Sequence, residues 1–388
     1  MPSDQTSPSA AQSLPSARLL SLDVFRGITI AAMVIVNNPG SWSNVYPPLL
    51  HAEWHGLTPT DLVFPFFVFI VGVCVPLSLK KYLPGAADAE APRGSVNGRI
   101  VRRSALIFFI SLIVLHGFPF TVEAFRNIRI PGVLQRIALC YLFTACIYLN
   151  LRVRGQSLVM AGLLIGYWLL MTLVPAPGFE AGDLSKEGSL ASWIDRTLLA
   201  GHIYKPEYDP EGLLSTLPAI ATCLTGLLAG QWLLTSRERL DKAGGLFGFG
   251  ILSALAGLLW SLTFPINKPL WTSSYVLVTT GLALLLLGLC YWLIDIKSKV
   301  AWSKPFQILG VNALAIFVLT GIAGDVMGYF QVAAGGDKTV SIKTWMYQSL
   351  FSQWLAPKNA SLAWAMSYLL VWFVVAVVLY RRRIFLRV

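Results

Sequence analysis

Apolar residues in this chain run together rather than alternating with polar ones. Ten such stretches can be marked, at about 20–38, 61–79, 104–120, 131–150, 156–175, 212–235, 244–264, 270–294, 303–324 and 361–380. Most approach the length that crosses a hydrocarbon core of about 30 Å. In lipid such segments must be helices, because an open strand would leave its backbone groups unpaired. The pattern therefore predicts an all-α, polytopic membrane protein of about ten transmembrane helices. Closely spaced Gly and Ala in LTGLLAG (224–230) and GLFGFGILSALAG (245–257) suit tight helix–helix contact. Two further segments, 190–200 and 340–356, carry apolar residues at helical spacing between polar ones. They predict interfacial helices lying on the bilayer, or a lid over a cavity.

Charge sets an orientation on this frame. With the N-terminus placed in the cytoplasm, nineteen Lys and Arg residues fall in inner loops and tails and nine in the longer outer loops. That is the bias of the positive-inside rule, and it predicts both termini in the cytoplasm of an inner membrane protein. Net charge is +11, but its dispersal between apolar spans argues against nucleic acid as a partner. Composition agrees: 55% of residues are hydrophobic and 13% charged, against about 25% charged in soluble domains. Residues 1–17 are rich in Ser and Pro and predict a disordered tail ahead of one domain, 18–388. The five cysteines lie in apolar segments without ligand spacing, so they read as packing residues and no metal is expected.

Few ionisable groups lie close to the spans, and each costs roughly 2.5–3.5 kcal/mol at a helix centre. Asp23 and Arg26 are i, i+3 neighbours in the first helix; they pair to fix the helix or handle a polar ligand. The segment 49–72, LLHAEWHGLTPTDLVFPFFVFIVG, passes from a polar loop into a phenylalanine-rich helix. Within it His51 is the candidate base or nucleophile. Trp54 offers an apolar wall, and Asp61 either caps the second helix or orients an imidazole. Asn37, ending the first helix at the same level, is either a terminator or a donor to a developing oxyanion. His55 is a weaker candidate, and His116 and His202 read as polar filler. In RNIRIPGVLQR (126–136), Arg129 and Arg136 stand at a helix start and suit an anion such as phosphate or carboxylate. Asp209 and Glu211 in YDPEG, and Asn267 in PINKPLWTSSY, complete the polar groups expected on the outer face. Helix capping accounts for the two carboxylates equally well.

Six blocks carry a likeness. RLLSLDVFRGITIAAMVIVNN, HAEWHGLTPTDLVFPFFVFIVG, IRIPGVLQRIALCY, YDPEGLLSTLPAI, NKPLWTSSYVL and the ending YRRRIFLRV resemble, in order, the heparan-α-glucosaminide N-acetyltransferase family and its bacterial relatives. The resemblance implies a membrane enzyme that moves an acetyl group from cytosolic acetyl-CoA to the amino group of a glucosamine on the far side. It maps the active histidine to His51 and an upstream asparagine to Asn37. His55 departs from the family pattern, which has Asn there. Arg129 and Arg136 become ligand-side groups. The implied mechanism brings the thioester to His51, which either accepts the acyl group or removes the acceptor's proton, while Asn37 holds the oxyanion. Acyl-CoA, an amino sugar or glycan acceptor, and membrane lipid are the expected partners, with a homodimer allowed. The alternative from another class is an amino-sugar transporter, which would need access to its site from both faces.

Overall fold

The computed structural model describes residues 19–83, 93–334 and 338–385; the expected tail 1–17 lies outside them. The chain forms helices α1 (Leu20–Asn37), α2 (Val63–Leu79), α3 (Arg93–Phe109), α4 (Val122–Arg126), α5 (Val133–Asn150), α6 (Val153–Leu173) and α7 (Leu190–Leu198). It continues with α8 (Thr216–Leu233), α9 (Arg239–Trp260), α10 (Ser273–Cys290), α11 (Lys304–Val311), α12 (Ala313–Tyr329), α13 (Ile342–Tyr347) and α14 (Pro357–Arg381). Among the described residues the strands are those of a short antiparallel ribbon, β1 (Gln331–Ala333) and β2 (Thr339–Ser341), with Val332 opposite Val340.

Among the described residues eight helices are long and apolar enough to cross a membrane, or nine if the bent pair α11–α12 is one span. The ten-span expectation differs at two places. The span marked 104–120 belongs to a helix that starts at Arg93 and carries Arg99, Arg102 and Arg103, so its apolar part is short. It then loosens into a π-turn at Ile110–Leu115. The span marked 303–324 is broken: α11 and α12 meet at an angle of 68°. Asn312 sits at the break with φ −114° and donates from Nδ2 to the Ile384 carbonyl at 3.1 Å.

Small residues let backbones meet. A Cβ at Gly72 of α2 would lie 1.9 Å from the Cys223 carbonyl of α8, and one at Gly226 of α8 would lie 2.0 Å from the Phe69 carbonyl. The two helices thus interlock reciprocally, with van der Waals contact replacing a hydrophobic drive that lipid does not supply. Gly27 and Gly310 make the same close approach between α1 and α11. On the outside, α9 presents Leu252, Leu255, Leu259 and α14 presents Leu370, Val371, Val374 as exposed apolar faces, as lipid-facing helices should.

Loops gather at one end of the bundle. The Gly56 amide donates to the Ile266 carbonyl, Ile130 to His202, and Gly40 to Ser361. The end of α1, the starts of α2, α5, α8, α10 and α14, and the loop 174–215 are therefore neighbours. The amphipathic segment 190–200 is α7, but it does not merely lie on a surface: Leu190, Ala191 and Asp195 are buried. Leu190 and Ala191 pack with Tyr167 of α6 and with Phe264 and Leu270.

Candidate active site

The second helix begins with a signal written in its sequence. Thr58 and Asp61 form a capping box around a 3₁₀ turn at Pro59–Leu62. Asp61 Oδ2 accepts the backbone N–H groups of Thr58 (3.0 Å) and Ala52 (3.1 Å). That leaves Oδ1 for His51, whose Nδ1 lies 2.7 Å away. Cap and orienting carboxylate are thus the same residue, and the two readings of Asp61 do not exclude each other. A carboxylate only accepts, so Nδ1 carries a hydrogen, and in the neutral ring the lone pair is then on Nε2. The side chain of Asp61 is 1% exposed and that of His51 is 49% exposed. A buried carboxylate behind a half-open imidazole is the arrangement that holds a histidine in one tautomer as base or nucleophile.

A third group stands on this pair. Lys268 Nζ lies 3.1 Å from both His51 ring nitrogens and 4.0 Å from Asp61 Oδ1. In the ring plane, those two distances would drive Nζ into the carbon between the nitrogens. The ammonium therefore sits over the ring face, and the in-plane lone pair of Nε2 stays open. Burial pushes the Lys268 pKa down, against the pull of Glu211 and Asp61. In the sequence Lys268 is one more outer-loop cation; only the tertiary fold joins it to a histidine 217 residues away.

The loop bearing Lys268 is rigidly built. Asn267 is fully buried; its Oδ1 accepts from Leu270 (2.8 Å) and its Nδ2 donates to the Trp54 carbonyl (3.0 Å). Trp271, with φ +52°, is also fully buried and donates from Nε1 to Thr222 at 3.0 Å. Tyr275 closes the unit by donating to the Asp61 carbonyl at 2.6 Å. Trp54 donates to Leu184 (2.8 Å), meets Tyr208 edge-on and packs against the cluster of Phe264 and Leu270. The side chains of Asn267 and Trp54 are thus engaged in holding loops together. Asn37 ends α1 exposed, and among the described residues no hydrogen bond ties it to His51.

The second polar cluster lies beside the first. Arg129 grips Asp209 with two bonds, Nε to Oδ2 at 2.9 Å and a terminal nitrogen to Oδ1 at 2.6 Å, and also donates to Glu211. Burial works against its charge, but the two carboxylates outweigh it and raise its pKa. Arg136 is fully buried, donates to the carbonyls of Pro210 (3.1 Å) and Gly212 (3.0 Å), and stacks 5.0 Å from the Trp271 ring. His116 and His202 donate to the carbonyls of Arg129 and Ile128, pinning the same segment. The arginines thus bind the YDPEG segment to the start of α5. Asp195 completes the cluster: its Oδ1 accepts from the Leu213 amide at 2.8 Å, and burial pushes its pKa up to about 7.

From the opposite level toward this end, a cavity of about 630 Å³ runs between α1, α2, α3, α5 and the α11–α12 break. Asp23, Arg26, Cys74 and Arg103 line one end, Phe67 and Val133 the other. Arg26 pairs with Asp23 (3.3 Å) and donates to Cys74 Sγ (3.0 Å), so Cys74 is more than packing. Along α2 the cavity runs from Ser78 to Phe67, about 16 Å at 1.5 Å per residue. Asp61 lies about 9 Å beyond Phe67 on the same scale. Among the described residues no group of three or more His, Cys, Asp or Glu side chains is set to hold a metal ion.

A family described as "Heparan-alpha-glucosaminide N-acetyltransferase, catalytic" matches residues 18–258. Proteins named heparan-alpha-glucosaminide N-acetyltransferase from Homo sapiens and Mus musculus are 31% and 30% identical to this chain, over 78% of its length. The alignment covers 52% and 53% of those proteins, so the chain spans about half the length of the curated relatives it matches.

Proposed function

This chain belongs to the heparan-α-glucosaminide N-acetyltransferase family, and from that premise we propose that it is a membrane acyltransferase. Its domain is taken as residues 18–388. Acetyl-CoA is the donor, the amino group of a glucosamine-type sugar or glycan is the acceptor, and the transfer occurs at the extracytoplasmic end of an inner membrane protein. The observation that carries this reading is the His51–Asp61 pair at 2.7 Å, held at the mouth of α2 with Nε2 open. It lies within the region that matches the family.

The cavity suits the donor in its chemistry. Guanidinium groups at Arg26 and Arg103 match phosphates, and the apolar walls match a thioester-bearing arm. His51 Nε2 attacks the acyl carbon, or takes the acceptor's proton for direct transfer; Asp61 holds the imidazole and balances the charge it acquires. Asn37, at the end of α1, is the side-chain donor for the oxyanion once the acyl group reaches that level. Arg129, Arg136, Asp209 and Glu211 shape the wall on the acceptor side.

Purified protein in proteoliposomes, given radiolabelled acetyl-CoA and glucosamine, tests this. Wild type yields N-acetylated sugar, and His51→Ala loses transfer by at least about 10³-fold. Full transfer by His51→Ala removes His51 from the mechanism. Uptake of unmodified sugar without acetyl-CoA replaces the enzyme reading with that of a permease.

A further inference from the structure

If His51 carries the acyl group, as the proposed function allows, its Nε2 is occupied when the acceptor arrives. The attacking amine must lose a proton, and the imidazole cannot take it. Nδ1 already carries hydrogen toward Asp61 Oδ1, and Oδ2 is held by two backbone N–H groups. Among the described residues, Lys268 Nζ is a titratable nitrogen standing 3.1 Å from Nε2. We propose that Lys268 is a catalytic residue, the proton carrier of the transfer, giving a proton to the leaving thiolate and taking one from the incoming amine.

The steps balance. In the first, the Nε2 lone pair forms an N–C bond to the acyl carbon, the C–S bond breaks, and CoA leaves as thiolate. The Lys268 ammonium passes one proton to the sulfur, giving a thiol and a neutral lysine amine. The acyl-imidazolium keeps its Nδ1 hydrogen on Asp61. In the second, the acceptor's neutral amine forms the new C–N bond, the C–Nε2 bond breaks, and the imidazole returns neutral. The excess proton on the new amide nitrogen passes to the lysine amine, restoring the ammonium. The sum is acyl-CoA plus amine giving amide plus CoA thiol.

Geometry supports this assignment in three ways. Nζ stands over the ring face, 3.1 Å from Nε2, so it is near substituents on a tetrahedral carbon bonded there without blocking attack. The lysine side chain is 15% exposed, and burial makes its ammonium easier to deprotonate than an ordinary lysine. The charge also alternates sensibly, because Lys268 becomes neutral at the moment the ring becomes cationic, so two positive charges never face each other across the 3.1 Å contact. The groups facing Lys268 are His51 and Asp61 from the α2 entry, Glu211 before α8, and Arg136 of α5.

The test compares Lys268→Met with Lys268→Arg in purified full-length protein, using acetyl-CoA and glucosamine. Arginine keeps the positive charge but does not give up a proton at neutral pH. Both variants are expected to lose kcat by about 10²–10⁴-fold, with KM for acetyl-CoA within about threefold of wild type; Lys268→Arg, which keeps the positive charge beside Asp61, should also keep the wild-type melting temperature. A purely electrostatic or packing role predicts instead that arginine restores activity. Arginine activity within about tenfold of wild type, or methionine activity within about tenfold, overturns the proposal. Wild-type turnover in the same preparation reads the acyltransferase assignment by itself, so a working wild type with an active Lys268→Met leaves that assignment standing and removes Lys268 alone.

Discussion

The substitution Asp61→Asn exchanges one side-chain oxygen for an amide nitrogen and should disable His51 without unfolding anything. The outcome follows from the unequal surroundings of the two carboxylate oxygens. Oδ2 faces the N–H groups of Ala52 and Thr58, so the oxygen of the substituted amide must take that place; the opposite flip would set an NH₂ against two N–H donors. The NH₂ then occupies the Oδ1 position, 2.7 Å from His51 Nδ1. Nδ1 can now only accept, the ring hydrogen moves to Nε2, and the lone pair that attacks is lost. Such a change of tautomer is worth about 10⁴ in kcat in a serine protease triad. A loss of about 10³–10⁴ in kcat/KM is expected here, or about 4–5.5 kcal/mol of transition-state stabilisation. The capping box retains its oxygen acceptor, but Lys268 loses a neighbouring carboxylate, so the melting temperature should fall modestly while the fold persists. Steady-state transfer to glucosamine, with thermal unfolding on the same sample, measures both. An Asp61→Asn protein with kcat/KM within about tenfold of wild type would refute the assigned tautomer and the role of Asp61.

Other perturbations follow from the same geometry. Asp195 has a folded pKa of about 7, above that of an unfolded carboxylate, so the folded state holds its proton more tightly. Stability contributed by this group is therefore greatest at low pH and falls as pH rises toward the folded pKa, by about 4 kcal/mol in all. Asp195→Asn, which keeps the acceptor for the Leu213 amide, should flatten melting temperature between about pH 5 and 8 and exceed wild type at the upper end of that range. Arg129→Met leaves the buried Asp209 and Glu211 without their cation and should destabilise by about 3–5 kcal/mol, read by denaturant or thermal unfolding. Gly72→Ala drives a methyl into the Cys223 carbonyl and should cost about 3 kcal/mol, whereas Gly166→Ala, where nothing lies within 4 Å, should be nearly neutral; thermal unfolding of the pair checks both. Ile137→Trp narrows the cavity and should raise the KM for acetyl-CoA about tenfold with kcat near wild type, measured by initial rates.

How much of this is written in the sequence depends on the range of each interaction. Asp61 and His51 are ten residues apart, and Thr58 with Asp61 spells a capping box, so local spacing is enough to suspect both roles. The apolar runs announce the membrane helices because a spanning helix must satisfy its backbone internally. LGVNALAI reads as one continuous span, since apolar character does not record a bend; the break at Asn312 depends on α1 pressing against Gly310 and on the carbonyl of Ile384. Lys268 and Asp195 are hidden for a similar reason. One looks like a loop cation and the other like the polar face of an interfacial helix, and their burial is created by residues far away in the chain. Asn267 lies in the same block as Lys268: its amide holds a turn, and its neighbour reaches the histidine.

The two polar clusters form one electrostatic unit, and its charge count explains its composition. Asp61, Asp209 and Glu211 supply three negative charges; Lys268, Arg129 and Arg136 supply three positive ones. Glu211 connects them, bonded to Arg129 and acting on both Arg136 and Lys268. Charges buried at the edge of a bilayer are tolerable only when paired, so a neutral sum is what the surroundings demand. A fourth carboxylate, Asp195, would unbalance it, and this agrees with its pKa, raised first by burial and then by the nearby Asp209. A mobile proton at Lys268 gains meaning in the same frame. When Lys268 releases its proton, the acyl-imidazolium appears beside it, and the total charge of the unit does not change during the transfer. Chemistry that conserves local charge needs no reorganisation of the buried network, so the arginine–carboxylate frame can stay rigid while one proton and one acyl group move across it.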